Sequence, residues 1–126
     1  MSKISSDVRL RHMLEAAIEA CEMISGESRV SLDNDRKLTL ALVRLIEIVG
    51  EAAANVSKEK QLELTQIPWR DLVGMRNRIV HAYFDVDLDI IWQTITEDLP
   101  FLISKLEELG DFEPKPSQTP PTQVEN

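Results

Sequence analysis

The sequence predicts an all-α protein, a single bundle of four to five helices. Three observations predict it. Apolar residues recur at three- and four-residue steps over long stretches, alternating Val/Ile/Thr/aromatic runs are missing, and only four glycines interrupt 126 residues. That length suits one domain, and a hydrophobic share of 43% is ample for its core.

The first helix starts after Ser5 or Ser6, where a serine cap is followed by Asp7 in the first turn. Val8, Leu14, Ile18, Cys21 and Ile24 form its expected apolar stripe, and Gly26 supplies a stop. A polar loop through Glu27, Ser28 and Arg29 leads to Asp33-Asn34-Asp35, a strong cap signal. The second helix runs from about Asp35 to Val56. Its stripe is Leu38, Ala41, Leu42, Leu45, Val49, Ala52, Ala53 and Val56. Gly50 sits inside it at a cost of about 1 kcal/mol relative to alanine. Such a small residue allows close helix approach, within the fold or across a dimer.

Ser57 caps a short third helix through about Leu64. Ile67-Pro68-Trp69 then breaks the chain, because proline lacks an N–H and disfavours helix at the residue before it. A fourth helix is expected over Trp69 to Phe84, with a turn and cap at Asp85 to Asp87. The fifth spans Leu88 to Leu109, with Ile91, Ile95, Leu99, Leu102 and Leu106 inward. Pro100 lies within it and is expected to kink or split it. Residues 1–110 make the helical domain, and the Pro-, Gln- and Thr-containing segment 111–126 reads as a disordered tail.

A net charge of −8 argues against a general nucleic-acid coat, which needs a broad basic face to displace counterions. It leaves room for an enzyme that grips one or two phosphates, or for a basic protein partner. The lone Cys21 excludes an intramolecular disulfide. The N-terminus lacks the apolar core of a signal peptide, and no apolar run approaches the roughly 20 residues that span a bilayer. A cytoplasmic location is expected.

His81 stands in the most chemically loaded stretch. On a helix at about 100° per residue, Arg76, Asn77, Val80, His81, Tyr83 and Phe84 fall within an arc of roughly 160°. Between Trp69 and His81 the charges are Arg70, Arg76 and Arg78 against Asp71 alone. These groups match RNA transesterification, in which the 2′-hydroxyl loses a proton, the leaving 5′-oxygen gains one and the phosphorane must be held. Histidine titrates near pH 6.5 and serves as acid or base. Arginine stays cationic and forms bidentate bonds to phosphate oxygens. Asparagine can orient either partner. One such histidine per chain is awkward for two proton transfers, and a symmetric dimer would supply the second.

Plainer roles stand beside these. Arg76 with His81 could be a structural surface or interface pair, and Asn77 a surface amide. Arg78 points off the arc, as a solvated residue or an RNA-steering charge. Tyr83 could pack in the core. Glu47 and Glu51 could act as acid and base, but such pairs are more often a solvated face or partners for Arg44. His12 with Glu15 and Glu19 offers one reversed pair with no second histidine near it, where a bundle metal site wants Glu-x-x-His pairs from two helices, so no metal is expected. Cys21 reads as a core residue, and Trp69 and Trp92 as core or dimer-interface anchors.

Arg76-Asn77-Arg78-Ile79-Val80-His81 resembles the Arg-x4–6-His signature of HEPN ribonucleases. The block from Ile67-Pro68-Trp69 through Gly74-Met75-Arg76 and His81-Ala82-Tyr83-Phe84-Asp85-Val86-Asp87 to Ile91-Trp92 resembles the HepT subfamily, as does Arg44 to Ala52. The likeness covers about residues 6 to 109. It implies an HEPN-like bundle, a homodimer whose Arg/His motifs line a shared cleft, and RNA cleavage without metal or other cofactor. In this family the RNA targets include tRNA; no residue here chooses between tRNA and mRNA. The resemblance also implies a partner, an MntA-like nucleotidyltransferase antitoxin that adenylylates the tyrosine of the His-x-Tyr element, Tyr83 here. Arg76 and His81 would be catalytic, with Asn77 positioning substrate. A relative that only binds a nucleotide or a nucleotidyltransferase is the competing reading, and the intact Arg76/His81 pair favours the enzyme.

Overall fold

The computed structural model describes residues 5–80 and 85–110. These form eight α-helices: α1 (Ser6–Met23), α2 (Arg29–Asn34), α3 (Arg36–Ala54), α4 (Lys58–Glu63), α5 (Trp69–Val73), α6 (Met75–Ile79), α7 (Leu88–Gln93) and α8 (Leu99–Glu108). A π-helical turn, Thr94–Asp98, joins α7 to α8. The fold is all-α, as expected. The segment read as a tail, 111–126, lies outside the described residues.

Side-chain caps set most of the helix starts. Ser5 accepts from the Val8 N–H at 3.2 Å, Asp35 from Leu38 at 3.0 Å, Ser57 from Lys60 at 3.1 Å and Asp87 from Ile90 at 3.1 Å. Each satisfies a backbone donor that the first helical turn leaves unpaired. Asp35→Ala is therefore expected to cost about 1 kcal/mol, a loss of a few degrees in Tm. Thermal unfolding checks this, and an unchanged Tm contradicts it. Gly26, at φ +81°, follows α1 in the left-handed region that glycine enters freely.

Two readings of the N-terminal half need correction. The short α2 was expected as loop; Leu32 is its buried anchor, and its backbone carbonyl accepts from Thr39 at 3.0 Å. Six residues are too few to display a helical period. In α1 the buried face is Leu10, Met13, Ala16, Ala17 and Ala20, about a quarter turn from the expected stripe. Leu14, Cys21 and Ile24 pack at its flank, half-buried. Three alanines let α1 lie close against its neighbours α3 and α8, so closeness of approach outweighed side-chain size.

The central helix α3 buries Leu42, Leu45, Ile46, Val49, Ala52 and Ala53. A Cβ on Gly50 would stand 3.0 Å from the Leu72 carbonyl oxygen of α5, so the close approach is made within the fold. At the C-terminal end Ile91, Ile95, Leu99, Leu102 and Leu106 are all fully buried, as expected. Pro100 falls in the first turn of α8. Its ring excludes the carbonyl four residues earlier, and the preceding π turn gives the backbone the extra width. The expected break is thus a widened turn. No described helix is long and apolar enough to cross a membrane.

Candidate functional site

The segment expected as one helix from Trp69 to Phe84 is two short helices that stop early. Ile67 is buried, Pro68 precedes α5, and the Trp69 indole N–H donates to the Leu64 carbonyl at 3.0 Å. Trp69 and Trp92 both pack half-buried against the core. Gly74 separates α5 from α6, and α6 ends at Ile79. Val80 is extended, with φ −112° and ψ 118°, and pairs with Val86 in an isolated antiparallel bridge. The Asp87 N–H donates to the Ile79 carbonyl at 2.8 Å.

This corrects the helical arc at Val80. Arg76 and Asn77 lie on α6, which ends at Ile79. The stretch 81–84 lies outside the described residues. The Val80–Val86 bridge joins the described residues on either side of that stretch. Adjacent β-branched residues, Ile79 and Val80, favour that exit from helix.

Anchoring of α6 is simple. Met75 and Ile79 are buried one turn apart, which turns Arg76, Asn77 and Arg78 outward. The Arg76 Nε–H donates to Glu47 Oε2 of α3 at 2.7 Å. The other oxygen of Glu47 accepts from an Arg44 terminal nitrogen at 3.4 Å, and that nitrogen stands 3.9 Å from Glu51. Glu47 is one-fifth exposed and Arg76 about half. The Asn77 amide has no side-chain partner among the described residues and faces solvent. Arg78 reaches Asp98 of the π turn at 3.6 Å, beside a 230 Å³ groove between Met75 and Phe101. Arg76 does not line that groove.

Sequence reasoning linked Glu47 to Arg44, which lies one helical turn away, and missed Arg76, 29 positions on. No local signal marks a contact between two helices. Cys21 is not fully buried as expected: it is partly buried, with its thiol directed at the Ile95 carbonyl at 3.6 Å. Burial, and secondarily Glu22, pushes its pKa up, away from a reactive thiolate. Among the described residues no three His, Cys, Asp or Glu side chains gather as a metal-binding group.

Comparison with known proteins shows the family. The family profile described as ribonuclease HepT-like matches residues 13–109, from within α1 to the end of α8. A protein of Thermococcus cleftensis named "Probable ribonuclease HepT" is 38% identical over 100 residues, covering 76% of this chain and 91% of that one. A protein named provisionally as an RNase, from Caldanaerobacter subterraneus subsp. tengcongensis, is 37% identical over 100 residues, covering 79% and 89%. Another so named, from Methanocaldococcus jannaschii, is 29% identical over 107 residues, covering 85% and 98%. No solved structure matches the chain significantly. The profile spans every helix that carries Arg44, Glu47, Arg76 and Asn77, and the chain belongs to the HepT-like ribonuclease family.

Proposed function

We propose that this chain is a metal-independent endoribonuclease, the toxin of a type VII-like HEPN/nucleotidyltransferase toxin–antitoxin pair. The observation that carries the reading is the presentation of Arg76. A buried pair, Met75 and Ile79, fixes α6 so that a half-exposed guanidinium stands five residues before His81. The ribonuclease names of the relatives support the same chemistry.

In the proposed reaction Arg76 holds the scissile phosphate by charge-assisted hydrogen bonds. His81 takes the 2′-hydroxyl proton as the 2′-oxygen bonds to phosphorus. The bond from phosphorus to the 5′-oxygen breaks, and that oxygen receives a proton. A symmetric homodimer supplies a second His81 for the second transfer. Asn77 orients the phosphate or the imidazole. The RNA grip is local, since the net charge of −8 opposes a broad one.

An MntA-like nucleotidyltransferase antitoxin inactivates the enzyme by adding AMP to Tyr83, because a bulky anion two residues from His81 repels RNA phosphate. Expression of the chain alone should arrest growth, and coexpression with the antitoxin should relieve the arrest. Mass spectrometry of the coexpressed protein should find AMP on the peptide containing Tyr83. An adduct on another residue, or relief without any adduct, overturns the modification.

A further inference from the structure

Glu47 spends both carboxylate oxygens on arginines from two helices. Oε2 accepts from Arg76 Nε at 2.7 Å, and Oε1 from an Arg44 terminal nitrogen at 3.4 Å. Its platform is firm. It sits mid-way along the 19-residue α3, directly after the fully buried Ile46 and two residues before the fully buried Val49. The helix that carries Arg76 has only five residues and ends four residues past it, counting Val80 as its cap. So short a helix does little to restrain a long side chain.

We propose that Glu47 is a positioning residue for Arg76, and that Arg44, gathered on the same carboxylate, is a second cation for RNA phosphate. This rests on the reading of Arg76 as the phosphate clamp. A guanidinium offers five N–H donors in a fixed plane. Glu47 engages the inner one at Nε, which leaves the two terminal nitrogens off that contact. Those nitrogens form the fork that binds two phosphate oxygens at once. A carboxylate that competed with phosphate would occupy the fork itself. With Nε fixed, the plane and tilt of the fork are set before RNA arrives, so less side-chain freedom is lost on binding.

Stabilisation of the fold does not account for the arrangement. Ion pairs open to solvent contribute about 0–1 kcal/mol, and although Glu47 is only 20% exposed, its partners Arg76 and Arg44 are 49% and 62% exposed. Arg44 adds something different. With Arg76 it balances Glu47 and Glu51, so the cluster is neutral and the two carboxylates no longer repel an anion.

The test reads two quantities. Initial rates on labelled bulk cellular RNA give apparent kcat and KM, and fluorescence anisotropy gives the affinity for a labelled 2′-O-methyl oligonucleotide, which has no free 2′-hydroxyl to react. Glu47→Ala should lower kcat by on the order of 100-fold, the scale of a misplaced reacting group, with KM moving far less. Glu47→Gln keeps an acceptor for Nε and should recover most of the rate. In an Arg76→Ala background, Glu47→Ala should lower the residual single-turnover cleavage rate no further, since the group whose position sets that rate is gone. Arg44→Ala should weaken that affinity and flatten its salt dependence by about 0.7 in log–log slope, one phosphate contact on a single strand.

Wild-type rates in Glu47→Ala, faster cleavage, or full additivity with Arg76→Ala would each overturn the positioning role. An unchanged salt slope in Arg44→Ala removes the second cation. Should Glu47→Ala melt at lower temperature, Glu47→Gln and the double-mutant comparison decide the question. A wild type that binds the oligonucleotide but cleaves nothing sinks the ribonuclease reading and the positioning role that rests on it, while the salt-slope comparison still judges Arg44. A wild type that does neither sinks both.

Discussion

His81→Ala is expected to lower RNA cleavage by about 100- to 10,000-fold, the range that a positioned acid or base supplies. Growth arrest on expression should disappear with it, while the helical fold persists. The described core lies in other residues, led by Ile46, Ile79, Ile95 and Leu102. Arg76→Ala should fail in the same assays for a different reason. It removes the cation that meets developing charge on the phosphorane, and asparagine at position 77 cannot replace a permanent charge. If either variant arrests growth like the wild type at equal expression, the catalytic assignment is wrong.

Gly50→Val should be the most damaging substitution at the junction of fold and site. The Cβ alone would stand 3.0 Å from the Leu72 carbonyl oxygen, a backbone atom that cannot swing aside. Valine adds two methyl groups with a nearly fixed χ1 in a helix. Overpacking of this kind costs about 3 kcal/mol, on the order of 10 °C in Tm for a domain of this size. Relief requires α5 to move off α3, and α6 follows it in the chain. The Glu47–Arg76 contact at 2.7 Å would then lengthen. Cleavage should therefore fall further than the unfolded fraction explains, measured well below the new Tm. A variant that melts like the wild type and cleaves like it would show that the junction is not rigid.

The caps at Asp35, Ser57 and Asp87 were legible because capping is local chemistry within four residues. The stripe Ile91, Ile95, Leu99, Leu102 and Leu106 was legible because large side chains repeat at one period. The buried face of α1 was not, since Ala16, Ala17 and Ala20 are weak hydrophobic markers whose value lies in what packs against them. The stop at Ile79 was hidden for a similar reason. Nothing from Arg76 to Phe84 forbids helix, and the pairing of Val80 with Val86 and the Asp87-to-Ile79 hydrogen bond depend on the chain returning.

The candidate site divides along the same line. Arg76, Asn77, His81 and Tyr83 form one continuous block whose likeness to the HepT subfamily reads directly, and the family profile agrees on the family. The carboxylate facing Arg76 belongs to another helix and came only from three dimensions. Pattern gives the residues that carry chemistry, and packing gives the groups that aim them.

The central claim is that this protein cleaves RNA by itself and without metal. Its most direct test is incubation of the purified, unmodified chain with total RNA in excess EDTA, compared with the same reaction in magnesium. Cleavage should proceed at similar rates in both. No cleavage in either, or cleavage in magnesium alone, would contradict it.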